Sequence, residues 1–234
     1  MSIYVIADLH LSFNQDKPMN IFGENWNEHT EKIKNNWIKR VKEEDYIILL
    51  GDFSWETYLP DTQKDFAYLN ELPGKKILLR GNHDYWWGTL RSMQNFIKES
   101  EFENIDFLYN NSYCIENKIL IGTRGWNISD NEEDSKMIKR ESARLELSIQ
   151  DGIQKYGIEK EMIAFFHYPP ISIGEVLRKE DTEFTKILKK YNIKKCYYGH
   201  LHGNSQKDAV VQEVDGVTYT LVSADYLNFD LVKI

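Results

Sequence analysis

Cysteine is scarce in this sequence, which contains only Cys114 and Cys196. Each lies in an apolar segment typical of a strand, and neither is part of a Cys-x-x-Cys pair or of a closely spaced Cys/His set. A disulfide framework or a cysteine-type zinc site would show such spacing. We therefore expect two buried free thiols, a common state of cysteine in protein cores.

An excess of positive charge is also missing, because 37 acidic and 29 basic residues give a net charge of −8. A general nucleic-acid-binding surface would normally show a basic stripe. No apolar run approaches the ~20 residues that span a bilayer, and the first ten residues lack the basic and apolar regions of a signal peptide. We expect a cytoplasmic protein with no membrane partner, and nucleic acid is not favoured as a partner.

Short apolar segments recur along the chain, and each has the length of a buried strand rather than of a helix. They occupy residues 3–7, 46–50, 76–80, 118–122, 162–166 and 195–198. Segments with helical spacing lie at roughly 29–43, 62–71, 86–100, 133–156 and 180–191. The alternation of strands and helices predicts an α/β protein with a largely parallel sheet.

Two hairpins make the predicted sheet system mixed. Residues 210–222 alternate in polarity around Asp215-Gly216, a strong signal for a two-residue hairpin. A second hairpin spans residues 113–122, and a last strand lies within residues 228–234. Two packed sheets flanked by helices fit this pattern better than one doubly wound sheet.

Polar residues follow five of the strand segments at the point where each strand ends. In open α/β sheets, functional sites form outside the carboxyl ends of strands. A single histidine in such a place is most often a satisfied polar residue or a helix cap, but five of the six histidines lie in these groups. The groups are Asp8-Leu9-His10, Gly51-Asp52, Gly81-Asn82-His83-Asp84, His167 and Gly199-His200-Leu201-His202.

This ordered series (DLH, GD, GNHD, H, GHLH) resembles the motifs of the calcineurin-like metallophosphoesterase superfamily, and it extends from Asp8 to His202. The resemblance implies an αββα sandwich, in which two packed mixed β-sheets are flanked by helices, with a site for two metal ions. Because ligands from both ends of the chain must meet at that site, we expect residues 1–234 to form a single domain.

The resemblance also implies a role for each residue. One metal ion would be bound by Asp8, His10, Asp52 and His202. The other would be bound by Asn82, His167, His200 and again Asp52, whose carboxylate would bridge the pair. His83 would bind no metal and would face the substrate as a general acid or phosphate-contacting residue. Asp84 is grouped with it as catalytic, since its carboxylate could orient that imidazole.

The expected chemistry is hydrolysis of phosphomonoesters or phosphodiesters by a metal-bridging hydroxide. Two metal ions about 3.5–4 Å apart can bind a phosphoryl group and lower the pKa of a bridging water to around 7. The hydroxide would attack phosphorus in line while the metal ions neutralise charge on the phosphoryl oxygens. A shell of imidazole, carboxylate and amide without thiolate favours Mn, Fe, Zn, Co or Ni. The expected substrate is a small phosphate ester, nucleotides included.

Two other functions stay open. A nuclease acting on DNA or RNA is the enzymatic alternative, although the net charge of −8 disfavours it. A non-catalytic scaffold of the same fold is the other alternative. Relatives of that kind lose metal ligands or the catalytic histidine, and this sequence has both.

The sequence departs from two branches of the superfamily. Protein Ser/Thr phosphatases carry GDxVDRG and GNHE, whereas residues 51–55 read GDFSW and GNHD replaces GNHE. Purple acid phosphatases use a tyrosine ligand in GDxxY, and Trp55 occupies that place. The chain is more similar to small bacterial phosphoesterases of broad or unassigned substrate.

Substrate recognition is expected outside the motifs. The candidates are Arg80, Trp86 and Trp87 beside GNHD, Arg124 and Trp126 in the stretch GTRGW, and His29 with Trp26 in the long early loop. His29 is more often a surface or helix-start residue than a ligand in such a place. Core packing is an equally good interpretation of each tryptophan. The long polar loop at residues 12–30 is typical of a functional segment. The sequence leaves the physiological substrate, the native metal pair and the oligomeric state undetermined.

Overall fold

The computed structural model describes residues 1–15, 17–129, 131–173 and 181–234. In these ranges the chain forms eleven strands and five α-helices. The strands are β1 (Ile3–Ile6), β2 (Tyr46–Leu49), β3 (Lys75–Leu78), β4 (Ile105–Phe107), β5 (Tyr113–Ile115), β6 (Lys118–Thr123), β7 (Glu161–Phe166), β8 (Lys195–Tyr198), β9 (Glu213–Val214), β10 (Val217–Leu221) and β11 (Val232–Lys233). The helices are α1 (His29–Arg40), α2 (Gln63–Glu71), α3 (Leu90–Glu99), α4 (Glu132–Tyr156) and α5 (Glu183–Lys190).

The first sheet contains five strands in the order β11-β1-β2-β3-β4. Strands β1 to β4 run parallel, with Val5 opposite Ile48 and Ile48 opposite Ile77, while β11 pairs antiparallel to β1. All four residues of β1 are buried, as expected for a central parallel strand covered on both faces. This burial explains the unbroken apolar runs of the sequence.

The second sheet contains six strands in the order β5-β6-β7-β8-β10-β9. Its four inner strands run parallel, and β5 and β9 join antiparallel at the two edges. In the β5–β6 turn, Glu116 and Asn117 have φ of 50° and 63°; in the β9–β10 turn, Asp215 and Gly216 have φ of 51° and 77°. Two consecutive left-handed residues are the mark of the type I′ turn, so both predicted hairpins are confirmed.

Apolar clusters fill the spaces between four layers. The two sheets face each other through a core that includes Val5 and Ile48 on one side and Ile163 and Phe165 on the other. Helices α1, α2 and α3 cover the outer face of the first sheet, and α4 and α5 cover that of the second. The predicted αββα sandwich with two mixed sheets is therefore confirmed.

The elements differ from the sequence predictions in two places. Strand β4 was not predicted, because its three residues are too few to show a pattern. Helix α3 begins at Leu90 rather than near residue 86, since the Thr89 side chain caps it by accepting a hydrogen bond from Ser92 N at 3.1 Å. The helix predicted at 180–191 corresponds to α5. The first residue of the predicted range, residue 180, lies outside the described residues.

Both cysteines are free thiols, as predicted. Cys196 is buried, and burial raises the pKa of its thiol. Cys114 is only half-buried, because it lies on the edge strand β5. The expectation of two buried thiols is thus correct for Cys196 alone.

Helix α4 is the longest of the described helices, with 25 residues. Charged residues occur throughout it. None of the helices in the described ranges is both long enough and apolar enough to span a membrane.

Candidate metal centre

The strand-end residues of the two sheets meet at one edge of the sandwich. The sheets are joined there by the backbone, since Ala7 N donates to Val222 O at 2.9 Å and Ala224 N donates to Ala7 O at 3.0 Å. The residue after Ala7 makes a further link between the sheets, because Asp8 Oδ2 accepts a hydrogen bond from His200 N at 2.9 Å. Residues that are 192 positions apart in sequence are thereby placed in one cluster.

Four of the predicted ligands adopt left-handed backbone conformations. The φ angles are 63° for Asp8, 47° for His10, 51° for Asp52 and 73° for His200. A residue other than glycine in this region costs of order 1–3 kcal/mol, and such residues concentrate at functional sites. The surrounding fold therefore holds these four side chains in directions that they would not have if the backbone stayed extended beyond the strand.

The three glycines that precede ligands have two different functions. Gly51, with a φ of 88°, lies in the left-handed region that favours glycine at a sharp turn. At Gly81 the constraint is space, because a Cβ atom there would lie 2.1 Å from both the backbone nitrogen and Oδ1 of Asp52. At Gly199 a Cβ atom would lie 2.7 Å from Asp8 Oδ2. Close approach of the chains, rather than turning, requires glycine at these two positions.

The ligand atoms form two groups that share Asp8. The groups are Asp8, His10 and His202, and Asp8, Asp52 and His167, and the atoms of each group lie within 4.8 Å of one another. The first group includes the pair His10 Nε2 and His202 Nε2, which are 3.4 Å apart. Each group is of the size and composition that holds one transition metal ion.

Asp52 belongs to the second group, and its carboxylate also approaches His10 of the first group. Its Oδ2 is 3.8 Å from His10 Nε2, and its Oδ1 is 3.6 Å from His167 Nε2. The backbone nitrogen of His83 also donates to Oδ1 at 2.8 Å, which fixes the rotation of the carboxylate. One oxygen therefore faces each group.

The tautomer of His167 directs a lone pair into the site. Its Nδ1 lies 2.9 Å from the carbonyl oxygen of Leu50, which can only accept a hydrogen bond, so Nδ1 carries the proton. Nε2 is then an acceptor, and it lies 2.6 Å from another acceptor, Asn82 Oδ1. Two acceptors at this separation repel each other unless a cation binds both.

Asp225 fixes His202 in the same way. Its Oδ1 accepts from His202 Nδ1 at 2.9 Å, which leaves Nε2 free to face His10 and, at 3.8 Å, Asp8 Oδ1. The sequence analysis missed Asp225. The available signal was its position four residues after the end of β10, which repeats the pattern of a carboxylate beyond a strand end.

We expect Asp225→Ala to lower metal affinity by about 10- to 100-fold, the usual effect of losing the carboxylate behind a histidine ligand. Removing this acceptor frees the ring to rotate and to change tautomer. Titration of metal into chelator-treated wild-type and variant protein measures the difference. Unchanged affinity would show that His202 binds no metal ion.

The titrating groups of the cluster are shifted mainly by burial. Burial raises the pKa of Asp8 to about 7, with opposition from His202. Burial lowers the pKa values of His167 and His200 to about 3. Burial also disfavours the protonated form of His202. The carboxylates of Asp8 and Asp225 favour that form more strongly and raise its pKa to about 9.

These residues fit a bound metal ion. Asp8 Oδ1 and His10 Nδ1 are buried without a hydrogen-bond partner among the described residues. An unsatisfied buried carboxylate oxygen is costly in any structure. A cation would satisfy it, and it would also favour the ionised carboxyls and neutral imidazoles that metal binding needs.

His83 stands beside the cluster rather than in either ligand group. Its ring centroid lies 4.4 Å from that of Trp55, and Trp55 in turn stacks on His10 at 4.7 Å. The ring is half-buried, and its Nδ1 has no partner among the described residues. Burial lowers the pKa of His83, with Asp52 opposing the shift. The Lys17 ammonium lies 3.6 Å from the Trp55 ring centroid, on the same side of the molecule.

Asp84 has a different environment from the one the sequence suggested. Its buried carboxylate accepts backbone hydrogen bonds from Gly81, Asp52, Phe53 and Ser54 at 2.7 to 3.3 Å. The indole nitrogen of Trp86 donates to it at 3.1 Å. The carboxylate thus links the loop that follows β2 to the loop that follows β3. It has no described contact with the His83 ring. Its grouping with His83 as catalytic is replaced by a positioning role.

The tryptophans after GNHD are core residues. Trp86 is 3% exposed and Trp87 is 6% exposed, and both belong to the cluster between the first sheet and its helices. Burial leaves Trp86 almost no surface for a substrate, so its predicted role as a substrate contact is not supported. Tyr85 is 60% exposed, and its ring centroid lies 6.2 Å from that of His83.

Arg124 and Trp126 lie together near the second sheet's ligands. The guanidinium of Arg124 stacks over the Trp126 ring at 4.5 Å, and Trp126 Nε1 donates to Asp134 Oδ1 at 2.6 Å. The carbonyl oxygen of Arg124 accepts from His167 N at 3.2 Å. Arg80 is half-buried at the end of β3 and lines a small pocket together with Arg124.

A cavity of about 430 Å³ opens next to His200. Tyr168, whose ring centroid lies 4.2 Å from that of His200, forms part of its wall. The remaining lining residues in the described part of the chain are Asn127, Ile128, Ser129, Pro169, Ile171, Ser172, Ile173 and Leu201. None of them carries a charge, so this wall suits a neutral group of mixed polarity.

The family model for calcineurin-like phosphoesterases matches residues 1–204. This chain is a calcineurin-like phosphoesterase. The predicted family is therefore confirmed, and the protein is a metal-dependent phosphoester hydrolase. The match includes every predicted ligand and ends just after His202.

Solved structures with the same fold include three bacterial proteins. A phosphopantetheinyl hydrolase from Mycobacterium tuberculosis has a TM-score of 0.59 at 12% identity, with 100% of this chain and 95% of that chain covered. A Thermus thermophilus protein has a TM-score of 0.58 at 12% identity, with 99% and 97% covered. A protein of unknown function from Aquifex aeolicus has a TM-score of 0.50 at 19% identity, with 99% and 95% covered. At these identities the likeness concerns the fold alone, and no curated protein matches this phosphoesterase.

Proposed function

We propose that this phosphoesterase hydrolyses small phosphate esters at a site for two metal ions. The position of Asp52 carries the proposal, because its two carboxylate oxygens face different ligand groups. In this assignment, Asp8, His10, Asp52 and His202 would hold one ion, and Asp52, Asn82, His167 and His200 would hold the other. Since these ligands come from both sheets, we propose that the chain acts as one unit.

The bound ions would supply Lewis-acid chemistry, polarising the phosphoryl oxygens and lowering the pKa of a water to about 7. Imidazole, carboxylate and amide ligands suit Mn, Fe, Zn, Co or Ni. The hydrogen bond to Leu50 O directs the lone pair of His167 into the site, and Asp225 orients the His202 ring so that its Nε2 faces the site. The protein therefore orders its ligands through its own hydrogen bonds.

His83 is the proposed catalytic residue that contacts the substrate. Its ring is wedged against Trp55, and its Nδ1 has no acceptor among the described residues. In the protonated form the imidazole can donate a hydrogen bond to a phosphoryl oxygen or a proton to the leaving oxygen. Asp84 supports it indirectly by holding the Gly81 and Asp52 backbones.

A neutral part of the substrate is proposed to occupy the cavity beside His200. The described residues that line this cavity carry no charge, so none of them offers a cationic partner to a polyanionic strand. A small ester therefore fits better than DNA or RNA. One solved structure of the same fold is named a phosphopantetheinyl hydrolase, which agrees with phosphoester hydrolysis in general.

Metal content and turnover of the full-length protein test the proposal together. Protein produced with Mn supplied should contain about two transition metal ions per chain. It should hydrolyse p-nitrophenyl phosphate or bis-p-nitrophenyl phosphate, and chelation should abolish the turnover. Fewer than one bound metal ion would contradict the assignment. Salt-sensitive turnover of single-stranded DNA above that of the small esters would support the nuclease alternative instead.

A further inference from the structure

Three arginines converge on one pocket between the two sheets. Arg80 follows β3 in the first sheet, Arg124 follows β6 in the second, and Arg144 lies on α4. They line the pocket together with the buried Glu141 and with Tyr109. The metal centre does not use these side chains.

The pocket has an excess of positive charge. Glu141 is the only acidic residue among the described residues that line it, so three guanidinium groups face one carboxylate. Glu141 Oε1 is 3.7 Å from Arg124 Nη2 and 3.7 Å from Arg144 Nε, which is too long for a hydrogen bond. Its other oxygen accepts from Thr123 Oγ1 at 2.6 Å. The Glu141 carboxylate therefore balances one of the three guanidinium charges, and two positive charges remain.

Most of the arginine N–H groups in this pocket lack an acceptor among the residues that the structure describes. Each guanidinium carries five N–H donors. Within the described ranges, Nε of Arg80 and Nε of Arg124 are buried without a partner. The single described side-chain hydrogen bond is from Arg144 Nη2 to the Tyr109 hydroxyl, at 3.4 Å. An anion would supply the missing acceptors.

Aromatic rings hold two of the guanidinium groups by their faces. Arg124 stacks over Trp126 at 4.5 Å, and Arg144 lies over Tyr109 at 5.1 Å. A stacked guanidinium keeps its in-plane N–H groups free, and these can bind a carboxylate or phosphate through two parallel hydrogen bonds. The side chains are thus held in place for an acceptor rather than for each other.

The pocket is adjacent to the metal centre. Arg80 precedes Asn82 by two residues, which an extended chain spans in about 7 Å. The Arg124 carbonyl oxygen accepts from the backbone nitrogens of His167 and Tyr168, at 3.2 and 2.9 Å. A group bound by the arginines and a phosphate bound at the metal centre can therefore belong to one small molecule.

We propose that Arg80, Arg124 and Arg144 bind a second anionic group of the substrate. The substrate class is then a small phosphate ester that also carries a carboxylate or a second phosphate, an inference that rests on the proposed function. The enclosed pocket volume of about 10 Å³ admits one oxygen atom of that group.

Matched substrates test this proposal on the metal-loaded, full-length enzyme. Glycerol 3-phosphate carries one anionic group, 3-phosphoglycerate adds a carboxylate, and glycerol 1,3-bisphosphate adds a second phosphate without a carboxylate. We expect kcat/KM to be about tenfold or more higher for at least one of the latter two, the size expected of charge-assisted hydrogen bonds. Which of them is preferred distinguishes a carboxylate from a phosphate.

The variant Arg144→Gln should reduce this preference about tenfold. Arg140→Gln is the matched control, because Arg140 is exposed on the same helix one turn earlier and does not line the pocket. No preference in the wild-type enzyme, or a preference that survives in Arg144→Gln, would overturn the inference while leaving the proposed function intact.

Phosphate binding separates failure of this inference from failure of the proposed function. Isothermal titration of inorganic phosphate into chelator-treated protein should show saturable binding for wild type and Arg140→Gln, and about tenfold weaker binding for Arg144→Gln. Such binding in a protein that hydrolyses none of the esters would support the anion site and contradict the proposed activity. Equal binding by both variants would contradict the anion site.

Discussion

The variant Asp52→Asn is expected to lose both metal ions and essentially all turnover. One carboxylate oxygen faces His10 and the other faces His167, and asparagine replaces one of these anionic oxygens by an amide nitrogen that cannot bind a cation. A catalytic metal ion contributes several kcal/mol, and each ~1.4 kcal/mol is a factor of ten in rate. We therefore expect turnover to fall at least about a thousandfold, measured alongside metal content.

Asp45→Asn is the matched control for this variant. Asp45 is also buried, it precedes β2 at the end opposite Asp52, and its carboxylate accepts backbone hydrogen bonds from Ser2 and Lys42. The control should lose stability but retain its metal ions. Two bound metal ions in Asp52→Asn would contradict the bridging role.

His83→Ala is expected to lower turnover by roughly two to four decades, the range for acid–base groups. Its metal content should stay near that of the wild type, since the His83 ring belongs to neither ligand group. The backbone nitrogen that donates to Asp52 is kept in alanine, so the carboxylate should keep its orientation. Steady-state kinetics and metal analysis on the same preparation separate the two effects.

His29→Ala provides the control for removing an imidazole. His29 begins α1, and its ring packs against Trp26 at 5.4 Å and Phe229 at 6.2 Å. We expect this variant to stay within a few-fold of wild-type turnover, as for a substitution outside the catalytic groups.

If His83→Ala loses metal in proportion to activity, His83 is a ligand and the proposed role is wrong.

The fold and the location of the candidate site could be predicted because both follow from short-range patterns. Central parallel strands are buried on both faces, so β1, β2 and β7 appear as apolar runs, each followed within three residues by a polar ligand residue. The ends of such strands meet at one edge, and this places Asp8, Asp52 and His167 together. Each step needs only the local sequence and the general geometry of sheets.

What the sequence could not show depends on contacts between distant segments. Asp225 becomes relevant only because β10 lies beside β8, which brings its carboxylate to His202. Trp86 appeared to be a candidate substrate contact, but the position of α3 makes it a core residue. The need for glycine at position 81 arises from Asp52, 29 residues earlier in the chain. A local pattern can place a polar residue such as Asp225 beyond a strand end, but it does not show which distant residue that side chain contacts.

The hydrogen bond from His200 N to Asp8 Oδ2 has a consequence for how the protein folds. It joins residues 192 positions apart, so the ligands can come together only after both sheets have formed and packed. Contacts of such sequence separation form late and slowly, because a long loop must close first. Metal ions would then bind the native chain in preference to the unfolded one, and the melting temperature would rise with free metal concentration. A phosphoesterase of this design becomes able to bind its metal ions at the last stage of its own folding.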